Sequence, residues 1–287
     1  MEIENLQHIA TQVRRDIVRM VHAVNSGHPG GSLGCTDLLV ALYFDVMRLK
    51  RDEEGKAIFD MDARDEDVFF LSNGHISPVF YSVLARSGYF PVSELATFRK
   101  LDSRLQGHPA TAEHLPGIRV ASGSLGQGLS VACGAAFAKK LNKDPHFVYV
   151  LMGDGEQQEG QVWEAATFAP HHKLDNLIAV IDLNGQQIDG PTNLVMNNRD
   201  LGEKYRAFGW EVMEMKGNDL RNVIDTLKEA QGRAGQEKPI LILMHTEMGY
   251  GVDFMMGSHK WHGVAPNDEQ LAVALNQLPV TAGMEDY

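Results

Sequence analysis

Cysteine is scarce in this 287-residue chain: Cys35 and Cys133 are the only two, and they lie far apart. That excludes a disulfide framework and leads to the expectation of a reducing compartment, the cytoplasm. Long apolar runs are missing as well. No stretch of about 18 apolar residues occurs, which excludes a transmembrane helix. The opening residues, MEIENLQHIATQVRRDIVRM, form an amphipathic helical pattern with charges throughout. Lacking a continuous apolar centre, they do not make a signal peptide. Positive charge is in deficit, with 26 Lys and Arg against 38 Asp and Glu and a formal net charge of −12. Nucleic acid and anionic membrane surfaces are therefore excluded as main partners, since both call for a basic face. Anions can still be held locally by helix N-termini, backbone N–H groups and a metal ion. No low-complexity tract, internal repeat or long linker interrupts the chain.

What is present fits one large domain over residues 1–287. With 44% hydrophobic residues, a chain of this size can bury about 75% of the surface that it exposes when unfolded. Short apolar runs at Val68–Leu71, Phe147–Met152, Leu177–Leu183, Trp210–Met215 and Ile240–His245 have the continuous character of strands buried on both faces. Helical patterns separate most of them. Gly126–Leu141, rich in small apolar residues, is expected to be a buried helix. Gln161–Ala169 is another, which Pro170 is expected to end, and Asp219–Gln231 is a third. Alternating strands and helices predict an α/β fold, a parallel central sheet with helices on both faces.

In such sheets ligands sit beyond the carboxyl ends of the strands. Asn73-Gly74-His75, Gly153-Asp154-Gly155, Asn184-Gly185 and the pair His259 and His262 all follow strands, so they should share one edge. If the strands ending in Gly153-Asp154-Gly155 and Asn184 are parallel neighbours, Asp154 and Asn184 reach one point. A carboxylate, an amide oxygen and a backbone carbonyl are hard oxygen ligands of the kind that Mg²⁺ takes in octahedral geometry. The flanking glycines allow the backbone to approach a diphosphate closely. Taken singly, each segment also fits an ordinary turn.

The combination resembles the thiamine-diphosphate enzymes, whose motif is GDG, about thirty residues, then Asn. EQQEGQVWEA and KLDNLIAVIDLN between them are similar to transketolases in particular. The resemblance implies that Asp154 and Asn184 bind Mg²⁺ through side chains and Gln186 through its backbone carbonyl, with Ca²⁺ or Mn²⁺ as substitutes. It also implies that Gly155 and Asn184 touch the diphosphate. Ser26-Gly27-His28-Pro29-Gly30 resembles the family's SGHPG motif, which places His28 at the substrate. Ser72-Asn73-Gly74-His75 and Gly107-His108-Pro109 match the segments carrying two further histidines, and His262 matches a fourth that precedes glycine. Gly123-Ser124-Leu125-Gly126-Gln127-Gly128 is spaced GxxGxG and not GxGxxG, so it is no dinucleotide fingerprint. It resembles TGPLGQG, whose backbone at the positions of Gly123 and Leu125 contacts the thiamine; Ser124 stands where some relatives have proline. His259-x-x-His262 has no third ligand at zinc spacing.

The cofactor would supply the carbanion chemistry, with His28, His75, His108 and His262 handling protons and sugar hydroxyls near neutral pH. Glu159 and Glu164 suit a helix N-terminus, and by resemblance they lie at a subunit contact linking two active sites. The resemblance covers only the first part of a full-length transketolase. The glutamate that activates the cofactor's aminopyrimidine belongs to the remainder. The expectation is therefore a split transketolase. A C-terminal subunit with the pyrimidine-binding and C-terminal domains would pair with this chain as α₂β₂, to act on sugars or sugar phosphates. Two alternatives are the α subunit of a two-component 2-oxo acid dehydrogenase and a cofactor-binding module without a catalytic partner.

Overall fold

The computed structural model describes residues 1–281 and 283–287. The chain opens with α1 (Ile3–Ala23), α2 (Pro29–Gly34) and α3 (Thr36–Ala41), and a π turn over Leu42–Val46 continues α3. Strand β1 (Val68–Leu71), α4 (Ser77–Arg86), α5 (Gln127–Leu141), β2 (Val148–Gly153), α6 (Gly160–His171) and β3 (Leu177–Leu183) follow. A two-residue hairpin, β4 (Gln186–Gln187) and β5 (Gly190–Pro191), leads into α7 (Thr192–Val195) and α8 (Leu201–Phe208). Then come β6 (Glu211–Lys216), α9 (Leu220–Gly232), β7 (Ile240–His245) and α10 (Asp268–Gln277).

Five strands form a parallel sheet in the order β1-β2-β3-β7-β6. Strands β1, β2, β3 and β7 are apolar almost throughout because both faces are covered, whereas the edge strand β6 carries Glu211, Glu214 and Lys216. Phe69, Leu71, Tyr149, Leu151, Ile178 and Val180 pack on one side with α1, α3, α4 and α9. Their alternates Val68, Phe70, Val148, Val150, Leu177 and Ala179 pack on the other with α5, α6 and α8. The expected α/β fold, with helices on both faces, is what forms. β2 pairs with β3 so that Gly153 faces Asp182, and Asp182 in turn faces Met244 on β7. That register brings the chain beyond β2 and β3 out at the same edge, side by side.

Two local expectations are corrected. Pro170 does not end its helix; α6 runs on to His171. A proline there leaves the Ala166 carbonyl without its helical N–H partner, and the Trp210 indole N–H donates to that carbonyl instead, at 2.8 Å. Nor is α5 buried all round: Leu129, Ala132, Cys133 and Ala136 face the core, while Val131, Gly134 and Ala138 are exposed.

Helix α4, which starts just after His75, is fastened to α1 by a buried ion pair. Asp16 accepts from Arg86 at 2.5 and 2.7 Å and from the Ser82 hydroxyl at 2.6 Å. Removing the carboxylate strands a buried guanidinium. Asp16→Ala is therefore expected to lower stability by about 3–5 kcal/mol, read as a fall in denaturant midpoint. A loss below about 1 kcal/mol would show that the pair behaves as a surface bridge.

Candidate active site

The carboxyl ends of β1, β2 and β3 open into a cavity of about 360 Å³. Asn73 and His75 reach its wall from the turn after β1, Gly153, Asp154 and Gly155 from the end of β2, and Asn184 and Gln186 from the end of β3. His28, at the start of α2, and Gly123 and Leu125, ahead of α5, complete one side; Met248 and His262 close the other.

Asp154 and Asn184 line the same cavity, just beyond the paired ends of β2 and β3. The Asp154 carboxylate accepts from the Gly155 N–H at 2.7 Å and the Gly185 N–H at 2.8 Å. Asn184 donates its amide to Asp182 at 2.6 Å, and its Oδ1 accepts from the Gln186 N–H at 2.9 Å. The bond to Asp182 fixes the amide so that its oxygen, not its nitrogen, is left for other partners. Asp182 also accepts from the Thr246 hydroxyl. Asp154 is 3% exposed and Asp182 2%, and among the described residues no Lys or Arg pairs with either. Burial, and then the neighbouring Asp182, push the Asp154 carboxyl up to about 7. Burial pushes Asp182 up as well. Two desolvated carboxylates without a basic partner, beside an oriented amide oxygen, suit a small divalent cation. Among the described residues no three His, Cys, Asp or Glu side chains gather around a metal position. A hard oxygen site built from one carboxylate, one amide and backbone carbonyls has no need of such a trio.

Above this floor stand the imidazoles. Ring centroids of His28 and His75 lie 5.1 Å apart, His28 and His262 5.5 Å, His75 and His262 5.1 Å, and His28 and His108 6.4 Å. Burial lowers all four from the usual histidine range, and the adjoining imidazoles lower His28 and His75 further. His28 falls to about 4. Four of the residues that line the cavity carry a buried atom without a hydrogen-bond partner: Nδ1 of His28, Nδ1 of His262, Oδ1 of Asn73 and Oε1 of Gln186.

The loops are packed too tightly for side chains at two glycines. A Cβ on Gly74 would lie 2.7 Å from the Gly123 nitrogen. One on Gly123, whose φ is +130°, would lie 2.9 Å from the His108 ring.

Not every residue singled out in the sequence reaches the cavity. Ser124, Glu164 and His108 are exposed and outside its wall, His108 with its ring 6.4 Å from that of His28, and Glu159 is exposed but lines its mouth. Three further residues carry weight that the sequence did not reveal. They are Asp182, Glu156, which is 2% exposed, and Arg99, whose guanidinium donates to Ser26 at 2.8 Å and helps to keep His28 and His108 neutral. All three are hydrogen-bonded to partners remote in sequence or folded under a loop, so spacing gives no sign of them; only the run Asp182-Leu183-Asn184 beside a proposed ligand offers a local cue.

A parallel α/β domain with a polar cavity across the ends of adjacent strands, floored by acidic and amide oxygens, is a cofactor-binding domain. Residues 6–284 match the family model described as transketolase, thiamine diphosphate binding domain, and the chain belongs to that family. It is 38% identical over 278 residues to an apulose-4-phosphate transketolase subunit of Phocaeicola vulgatus, covering 97% of this chain and 95% of that one. It is 36% identical over 274 residues to the 6-deoxy-6-sulfo-D-fructose transketolase subunit SqwG of a Clostridium species, covering 96% of each. The crystal structure of transketolase from Campylobacter jejuni superposes with a TM-score of 0.86 at 34% identity, over 97% of this chain and 43% of that one. The chain thus spans about two fifths of the length of such solved transketolases.

The histidine cluster generates a pH prediction. An unfolded chain protonates its histidines near 6.5, whereas folded His28 does so only near 4. The unfolded state therefore binds more protons between these values, and stability falls as pH drops through that window. In a histidine-resolved NMR titration His28 should stay neutral down to about pH 4; a midpoint at or above 6.5 would contradict the geometry.

Proposed function

We propose that this chain is the cofactor-binding subunit of a two-chain transketolase. With a partner that carries the pyrimidine-binding and C-terminal portions, it transfers a two-carbon ketol unit from a ketose donor to an aldose acceptor. The observation that carries the proposal is that Asp154 and Asn184 line one cavity together with the neutral imidazoles of His28, His75 and His262. The nearly full-length match to relatives that are themselves named as transketolase subunits supports the two-chain arrangement.

Asp154, Asn184 and the backbone at Gln186 would hold Mg²⁺, and the backbone at Gly153 and Gly155 would lie along the diphosphate. Thiamine diphosphate, when bound, supplies a carbon nucleophile and a sink for the electrons of the broken C–C bond. The protein's own part is orientation and proton movement. A neutral imidazole both donates and accepts, so His28, His75 and His262 can bond sugar hydroxyls and move a proton to or from a carbonyl oxygen at neutral pH. Burial excludes the water that would otherwise compete for those protons. His108 and Arg99 would meet the sugar at the rim.

The partner's docking face is proposed to be the apolar ground around the cavity mouth. Ile188, which lines the cavity, is 63% exposed and Val264, beside it in an adjoining groove, 54%, and exposed apolar ground next to a cavity marks an interaction site. Glu159, at the cavity mouth, and Glu164, on the following helix, are exposed and would face the second chain. An α₂β₂ assembly and a cytoplasmic location belong to the same proposal; the latter is supported by two buried free thiols. Phosphorylated and sulfonated ketoses are the donors to test first, on the strength of the two relatives' names.

Two outcomes check the proposal. The purified chain should show no ketol transfer alone and should gain it when the partner, Mg²⁺ and thiamine diphosphate are added; robust turnover by the lone chain would overturn the two-chain reading. Asp154→Ala should abolish metal-dependent cofactor binding in a calorimetric titration while leaving the circular dichroism spectrum unchanged. Undiminished affinity would place the metal elsewhere.

A further inference from the structure

Glu156 has no part in the ligand set above, yet its carboxylate is the point at which three walls of the cavity meet. Oε1 accepts from the Ser72 hydroxyl, in the turn after β1, and from the Gly126 N–H at 2.7 Å, in the loop ahead of α5. Oε2 accepts from the Gly153 N–H at 3.0 Å, at the end of β2. The Ser72 oxygen in turn accepts from the Gly128 N–H at 3.0 Å. That leaves the hydroxyl proton for Glu156, so every group around this carboxylate is a donor. A carboxyl group met only by donors is matched to its ionised, acceptor-only form. The side chain is 2% exposed, and none of the bonds that hold it comes from Lys or Arg among the described residues. A buried anion beside a cavity meant for an anionic diphosphate is unfavourable on electrostatic grounds alone. Its arrangement makes sense as a fastening. The segments it joins are those that carry Asn73 and His75, Gly123 and Leu125, and Asp154. They are also packed too closely to be held by larger side chains: a Cβ on Gly128 would collide with the Ser72 side chain.

We propose that Glu156 is a positioning residue for the cofactor. Its carboxylate ties the turn after β1, the loop ahead of α5 and the turn after β2 together, so that the cavity has its binding shape before the cofactor arrives. The inference rests on the reading of the cavity as a thiamine diphosphate site, but adds to it a residue of the cavity wall that acts through the loops it bonds. Glutamine at this position keeps the size and loses the pattern, because its NH₂ must oppose one of the three donors.

The test is a titration of thiamine diphosphate, with Mg²⁺, into the unaltered chain, Glu156→Gln, Ser72→Ala and the double variant, each with the partner chain present. The melting temperature of each cofactor-free protein is measured alongside. Loss of hydrogen bonds to a charged group should weaken cofactor affinity about tenfold or more in Glu156→Gln. Ser72→Ala should weaken it less, and the double variant should be no worse than Glu156→Gln, since both act through one carboxylate. At saturating cofactor kcat should recover, while the cofactor KM stays raised. A folded Glu156→Gln protein with cofactor affinity within about twofold of the parent, whatever its melting temperature, overturns the inference and leaves Glu156 a purely structural residue. Should that variant fail to fold, unchanged affinity in Ser72→Ala overturns it equally. Failure of the unaltered chain to bind thiamine diphosphate at all would instead sink the cavity's assignment.

Discussion

Two carboxylates buried side by side, with no basic side chain among the described residues to offset them, set the terms for the rest of this molecule. Asp154 and Asp182 sit at the ends of neighbouring strands because β2 and β3 pair with Gly153 opposite Asp182. Both are pushed toward the protonated form. Such a pair is costly in a folded protein, and its persistence is intelligible if a divalent ion is the partner. The surrounding bonds agree. Asp182 turns the Asn184 amide oxygen outward, and backbone N–H groups of Gly155 and Gly185 hold the Asp154 carboxylate in place. An ion there would let an acidic protein of net charge −12 retain a diphosphate without a basic patch.

The upper half of the cavity follows a complementary logic. Imidazoles crowded within about 5–6 Å of one another cannot all be charged, and burial keeps them neutral. A neutral cluster costs little to assemble and retains both donor and acceptor capacity, which suits the handling of a polyhydroxylated substrate. The floor is thus arranged for a fixed charge and the roof for movable protons, and the same sheet edge supports both.

Much of this was legible in the sequence because parallel strands buried on both faces leave continuous apolar runs. Val68–Leu71, Leu177–Leu183 and Ile240–His245 have the expected ends, and the other two strands are displaced by one residue. The segments carrying Asn73 and His75, Asp154, and Asn184 do come to one edge, and His28 and His262 join them from afar. What was not legible depends on contacts between distant residues. Helix α6 includes Pro170 and ends at His171, and the Trp210 indole, forty residues on from the proline, takes over the freed carbonyl. Glu156 lies in an acidic stretch with the look of a solvated helix start, and its burial comes from Ser72, Gly126 and the strand end folding over it. Arg99 stands in an exposed-looking turn and is drawn in by Ser26. Period and motif report on local chain; these three report on what the chain is folded against.

The central claim is that one divalent ion is shared by the carboxylate of Asp154 and the amide oxygen of Asn184. Crystals grown with Mn²⁺ and thiamine diphosphate, measured near the manganese absorption edge, address it most directly. The account predicts a single anomalous peak about 2 Å from both oxygens, with cofactor diphosphate oxygens completing the coordination. A peak that contacts only one of the two residues, or cofactor density in the cavity with no metal between them, would contradict it.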